Sequence, residues 1–256
     1  MSDLSENKMM PLMGHLRDLR NVLIKCAIAL AIGAAFSLIF TTQILEFLVA
    51  PYGDILETID PTENVTTYFR VALMSGAVLA MPFLIYFIWS FIAPGLESKE
   101  KRYVRYIVPG ATVLFIIGVA FAWGIMLPAA IGFLSTFEPT IFRTSWRAAA
   151  YIPFVTSLLF WIGVAFELPL VVFFLAKLKV VTARKLLGWW RFAVVGAAIV
   201  AALITPTVDP FNMSLLAGPL IALYELSIWL VWLVERKRRR RESHQPSAVS
   251  TQTKDV

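Results

Sequence analysis

Very little in this chain can do covalent chemistry. It has one cysteine, Cys26, and two histidines, His15 and His244. A single thiol cannot close an internal disulfide. Cys26 also lies within an apolar run with no ligand partner nearby, which makes it a small buried residue rather than a reactive one. No HExxH, CxxC or GxSxG pattern occurs, and no Gly-rich phosphate loop, so we expect neither an enzyme nor a nucleotide-driven machine, and no cofactor or metal. Charge is scarce too, at 16% of residues, against the ~25% of an ordinary soluble domain.

What fills the space is apolar. Hydrophobic residues make up 59% of the chain and the mean hydropathy is +0.74, so most of it belongs in lipid. Crossing the hydrocarbon takes about 20 apolar residues. Charge-free runs that meet or approach this length lie at 26–45, 71–96, 106–137, 148–166 with a continuation to 176, 192–208, and 210–224 with a continuation to 234. The fold expected is an all-α integral membrane protein with six transmembrane helices, at about 22–45, 71–94, 106–131, 150–176, 191–206 and 213–234. An amphipathic helix at about 10–20 precedes them. Together they make one domain, 1–234, followed by a tail, 235–256, that is basic and then disordered. The first run starts beyond residue 20 and has full span length, so no cleavable signal peptide is expected. No internal repeat is apparent, and an inverted-repeat transporter fold gets no support.

The net charge of +6 reflects topology rather than nucleic acid. With the N-terminus inside, 20 of the 23 Lys and Arg fall in cytoplasmic segments, leaving Arg70, Arg143 and Arg147 outside. This bias follows the positive-inside rule and places both termini in the cytoplasm. The run ERKRRRRE, directly after the last span, reads as an anchor to anionic membrane lipid.

A few residues break the apolar pattern. Glu167, in GVAFELP, sits mid-span, where an ionised carboxylate costs several kcal/mol. It is either a neutral acid bonded to a neighbouring helix or part of a polar patch facing a cavity or partner. Pro169 beside it and Pro82 in span two kink their helices and help to make a concave surface. Glu225 lies nearer the cytoplasmic end of span six. The fifth span is short, and Thr205-Pro206 shortens it further, so spans five and six read as a short hairpin that thins the bilayer or is covered by partners. In GLESKEKR, Glu97 and Lys101 form an i,i+4 pair at a solvated helix entrance. The stretch MPLMGHLRDLR at 10–20 puts Leu12, Leu16 and Leu19 on one face, with Asp18 among the cations on the others. An anionic membrane surface does not explain a carboxylate there.

Taken in order, MPLMGHLRDLR, LVAPY, PTENVTTYF, MPFLIYFIWSFIAPGLESKEKR, GVAFELP and TPTVDPFN resemble the TatC subunit family of the twin-arginine protein translocase, over about residues 10–234. The resemblance implies a cupped six-helix bundle that receives precursors whose signal peptides carry two arginines. Such a bundle works with TatA and TatB single-span proteins in homo- and hetero-oligomers, and exports folded cargo on the proton motive force. The family's signal-binding positions map onto Asp18, Glu100, Arg20 and Phe91. Pro51, Glu167 and Asp209 map onto other functional positions, and Pro82 and Thr205 join them as a kink and as a hydroxyl available to a partner helix. Three positions depart from the pattern: Asp18 replaces a Glu, Val22 an Arg, and Asn212-Met213 a partner-docking Gln. A secondary transporter of a small solute, coupled through Glu167, is the alternative.

Overall fold

The structure, a computed structural model, describes the backbone of residues 3–92, 98–136, 145–204 and 210–242, and their side chains apart from 3–13, 15, 98–106 and 238–242. The helices are α1 (Asp3–Ile39), α2 (Thr41–Val49), α3 (Glu63–Ile92), α4 (Ser98–Phe121), α5 (Leu127–Thr136), α6 (Ala148–Ala165), α7 (Leu168–Lys177), α8 (Ala183–Gly188), α9 (Trp190–Ile204) and α10 (Pro210–Glu242). A π-helical turn, Ala122–Met126, joins α4 to α5. Among the described residues no strand forms, and an isolated bridge pairs Glu57 with Arg147.

Five helical segments are long and apolar enough to cross a membrane: Leu16–Ile39, Glu63–Ile92, Ile107–Thr136, Ala148–Lys177 and Pro210–Lys237. Trp190–Ile204 is a shorter sixth. Lipid tails are as apolar as leucine, so these helices associate through close packing and interhelical hydrogen bonds rather than hydrophobic burial. The α1–α3 pair shows both. Gly33 and Gly76 face each other so closely that a Cβ on either would overlap the other helix's backbone. One turn away the Ser37 and Ser75 hydroxyls are hydrogen-bonded to each other, and Tyr68 donates to the Leu38 carbonyl at 3.3 Å. The same device recurs between α4 and α6, where a Cβ on Gly118 would lie 3.0 Å from Cα of Gly163 and 2.8 Å from the Phe166 ring. The main core lies between the π turn, α5 and α6, around Met126, Leu127, Tyr151, Ile152, Leu158 and Ile162.

Four features differ from the sequence reading. The amphipathic stretch at about 10–20 is not a separate helix but the first part of α1, since nothing between Arg20 and the apolar run breaks a helix. The first outer loop is shorter than span bounds of 45 and 71 imply, because α2 reaches Val49 and α3 starts at Glu63. The fourth span is interrupted at Phe166–Glu167, between α6 and α7. Pro169 has no N–H to offer the Ala165 carbonyl, and its ring crowds that carbonyl. Only the fifth span is short. At 15 residues, α9 extends about 22 Å against a ~30 Å hydrocarbon core, whereas α10 runs for 33 residues. The Arg, Lys and Glu of its basic end are good helix formers and carry it past the lipid.

Candidate functional site

Asp18 and Arg20 lie near the start of the α1 span and are exposed. The glycine crossing sets their level. Helices α1 and α3 run antiparallel, with Gly33 against Gly76 and Lys25 and Phe87 lining one groove. Asp18 precedes Gly33 by fifteen residues and Phe91 follows Gly76 by fifteen, each about 22 Å along its helix. Asp18 and the half-buried Phe91 therefore stand at the same end of the pair. Glu100 belongs to the first turn of α4, which starts at Ser98. The segment linking it to Phe91 is short, so the backbone of Glu100 returns to that end. Its side chain lies outside the described residues.

A second feature is built around the break in the fourth span. Glu167 takes the N-cap position of α7, and its Oε1 is buried with no hydrogen-bond partner. It lines a cavity of about 700 Å³ whose other walls include Val171, Gly196, Val200, Leu220 and Tyr224 from α7, α9 and α10. An unpartnered carboxylate oxygen at the wall of a largely apolar cavity is suited to a hydrogen-bond donor brought by a visiting helix or peptide.

At the opposite end from Asp18 sits a cluster that sequence reasoning missed. Arg147 bonds Glu63 through Nε at 3.0 Å and also pairs with Asp60. Glu63 is 3% exposed. Its Oε1 accepts from Ala149 N–H at 2.7 Å, while its Oε2 accepts from Ile59 and Asp60 N–H at 3.1 and 3.3 Å. The Nε bond to Glu63, with the charges of Glu63 and Asp60 beside it, holds the Arg147 guanidinium above its ordinary pKa. The adjoining bridge adds Glu57 N–H to the Trp146 carbonyl at 3.0 Å and Ala148 N–H to the Glu57 carbonyl at 2.9 Å. Tyr151 donates to the Leu48 carbonyl at 2.9 Å and packs with Tyr52 and Trp146. The only sequence signal was two arginines, Arg143 and Arg147, in one outer loop and the acids Asp54, Glu57, Asp60 and Glu63 in another on the same side of the membrane.

The remaining sequence candidates are dispersed. Pro51 is half-buried in the turn that ends α2, just before Tyr52. Pro82 is half-buried within α3, which continues through it. Thr205 and Asp209 lie outside the described residues, between α9 and α10.

Comparison with known proteins gives this arrangement a context. The family described as "Sec-independent protein translocase protein (TatC)" matches residues 14–219. The chain belongs to the TatC family. The TatC of Deinococcus radiodurans is 39% identical over 230 residues, covering 86% of this chain and 85% of that protein. The TatC of Aquifex aeolicus is 37% identical over 237 residues, covering 90% and 98%. A crystal structure described as the twin arginine translocase receptor TatC superposes with a TM-score of 0.80 at 36% identity, covering 87% of this chain and all of that one. The fold is thus the TatC membrane fold. These relatives are protein translocase components, and the small-solute transporter reading finds no support among them. Glu167 is accordingly a cavity residue of a TatC fold.

Proposed function

We propose that this chain is the signal-peptide receptor and core subunit of a twin-arginine translocase. It lies in a prokaryotic cytoplasmic membrane with both termini inside, as one membrane domain over 1–234 and a basic tail anchored to lipid. TatA- and TatB-type single-span proteins assemble with it, and folded precursors cross on the proton motive force. The observation that carries the reading is the common level of Asp18, Phe91 and the start of α4 with Glu100. It supports a recognition surface with two separated carboxylates on the face that carries most of the positive charge. Each guanidinium of an arginine pair is permanently charged and offers a fork of donors that fits a carboxylate. Consecutive arginines in an extended peptide point in different directions, so two spaced carboxylates suit them better than one acidic patch. Arg17, Arg20, Lys101 and Arg102 repel basic peptides that arrive in the wrong register. Phe91 offers an apolar surface beside the clamp.

The other candidates take supporting roles. Glu167 provides an acceptor inside the α7–α9–α10 cavity, and Pro82 and Pro51 shape α3 and the outer cap. Thr205 and Asp209, between α9 and α10 in the sequence, serve partner helices that pack against α9. The test is site-specific crosslinking of a precursor with an Arg-Arg signal to membranes containing Glu100→Gln or Asp18→Asn. An arginine–carboxylate pair that is partly desolvated is worth about 1.5–3 kcal/mol, or one to two decades in affinity. Adduct yield should fall accordingly while insertion stays normal. Unchanged crosslinking and export in both variants would dismiss the clamp.

A further inference from the structure

A groove of about 450 Å³ runs along the outer side of the α1–α3 pair. Its walls are Ile28, Ile32 and Phe36 on α1 and Leu79, Phe83 and Phe87 on α3, and its floor is Ala29, Gly33 and Ala80. The groove exists because of the glycine crossing. With no side chains at Gly33 and Gly76 the two backbones touch, and the large residues on either flank stand up as parallel walls. Ile32, Phe36 and Phe83 are 65%, 54% and 59% exposed, so the walls face the surroundings of the bundle. Every lining residue is apolar except one. Lys25 closes the end nearest Asp18.

The dimensions select the occupant. From Lys25 to Phe36 the groove runs about 16 Å along α1, roughly half of a ~30 Å hydrocarbon core, which is one leaflet. The groove is open on its outer side and walled by single side chains of two touching helices, which suits a flexible hydrocarbon chain lying along it better than a helix of ~10–12 Å diameter with its side chains. An extended hydrocarbon chain fits. Lys25 belongs at the headgroup level, its stem lying along the groove and its ammonium reaching toward the membrane surface. The nearest acid on that helix face, Asp18, is two turns further out, about 10 Å away along the axis, which is a full Debye length at physiological ionic strength. Among the described residues no carboxylate pairs with Lys25, which presents its positive charge at the mouth of an acyl-chain slot.

We propose that this groove is a binding site for one anionic phospholipid of the leaflet on the N-terminal side. Its acyl chain lies between the α1 and α3 walls and its phosphate lies against Lys25. The lipid fills the flank that α1, packed mainly on α3, leaves open, and it fixes the tilt of the helix that carries Asp18.

The test uses the full-length protein reconstituted in nanodiscs of equal parts phosphatidylglycerol and phosphatidylcholine, then transferred to detergent. Retained lipid is measured by mass spectrometry, and a diazirine-bearing phosphatidylglycerol is photocrosslinked in parallel. The wild type should retain phosphatidylglycerol in several-fold preference, with crosslinks at 28–36 and 79–87. Lys25→Gln should abolish the preference yet keep acyl crosslinks in the groove. Ala29→Trp, which plugs the floor, should lose the groove crosslinks while leaving those at α9 and α10 unchanged. Equal retention of both lipids by the wild type would overturn the site. So would an unchanged preference in Lys25→Gln, or lipid adducts spread evenly over all the spans instead of collecting at 28–36 and 79–87.

Discussion

At the residue scale, the chain spends its few polar groups where two elements must be tied, and its glycines where two helices must touch. Gly76 is the clearest case. A methyl group there meets the backbone of α1 at Ala34 and Gly33, and backbone cannot rotate out of the way as a side chain can. Gly76→Ala should destabilise the protein by about 1–3 kcal/mol, the usual cost of overpacking, with the loss seen as easier unfolding in detergent and faster exchange of α1 amides. Replacement of the exposed Gly14 by Ala, where an added Cβ meets nothing, should leave both unchanged. The outer cluster invites a graded series. Glu63 accepts three backbone N–H groups besides Arg147, whereas Asp60 offers its carboxylate to Arg147 from an exposed position. Glu63→Gln should therefore lower the unfolding midpoint more than Asp60→Asn, measured by thermal scans in the same detergent. A larger effect of Asp60→Asn would show that the ion pair, not the backbone bonds, holds the two outer segments together.

Elements were legible in the sequence to different degrees. The six apolar helices follow from run length alone, because a segment in lipid must satisfy its own backbone and can do so only as a helix. Where those helices end or break was harder to read. Pro82, Pro109, Pro153 and Pro219 all sit inside continuous helices, yet the helix parts ahead of Pro169, so a proline alone does not mark a break. The outer cluster was illegible because it joins residues more than eighty positions apart, and nothing local to Arg147 names its partners. Asp18 was legible as an anomaly, a carboxylate among cations, but its level relative to Phe91 needed the Gly33–Gly76 crossing. Two predictions belong here. Pro169→Ala restores the missing N–H and should close the break, raising hydrogen-exchange protection at 166–169 and constricting the cavity beside Glu167. Unaltered exchange would mean that Phe166 packing against Gly118, not the proline, parts the helix. The short α9 should make precursor export depend on bilayer thickness, falling as reconstituted vesicles are made from longer acyl chains. A flat response would show that the ends of α9 are already matched to the bilayer.

At the scale of the whole molecule, the proposed function divides the work: the outer cluster holds, the mid-span cavity houses and the carboxylate-bearing end recognises. Recognition at that end gives an aspartate set among arginines at the mouth of the first span a partner from outside the protein. Its most direct test is a double-mutant cycle between receptor and ligand. Binding of a fluorescent signal peptide bearing Arg-Arg, or with either arginine changed to Gln, is measured on the detergent-solubilised protein carrying Glu100, Glu100→Gln, Asp18 or Asp18→Asn. If each carboxylate holds one arginine, each receptor substitution should cost about ten- to a hundredfold with the intact signal. It should then cost almost nothing once the matching peptide arginine is gone, a coupling that only direct partners show. Glu100→Gln should have the larger effect, since the Asp18 side chain is a methylene shorter than that of Glu100 and reaches less far. Strictly additive losses, with no arginine whose removal silences either carboxylate, would contradict the clamp and leave Asp18 and Glu100 as balancing charges for their neighbours.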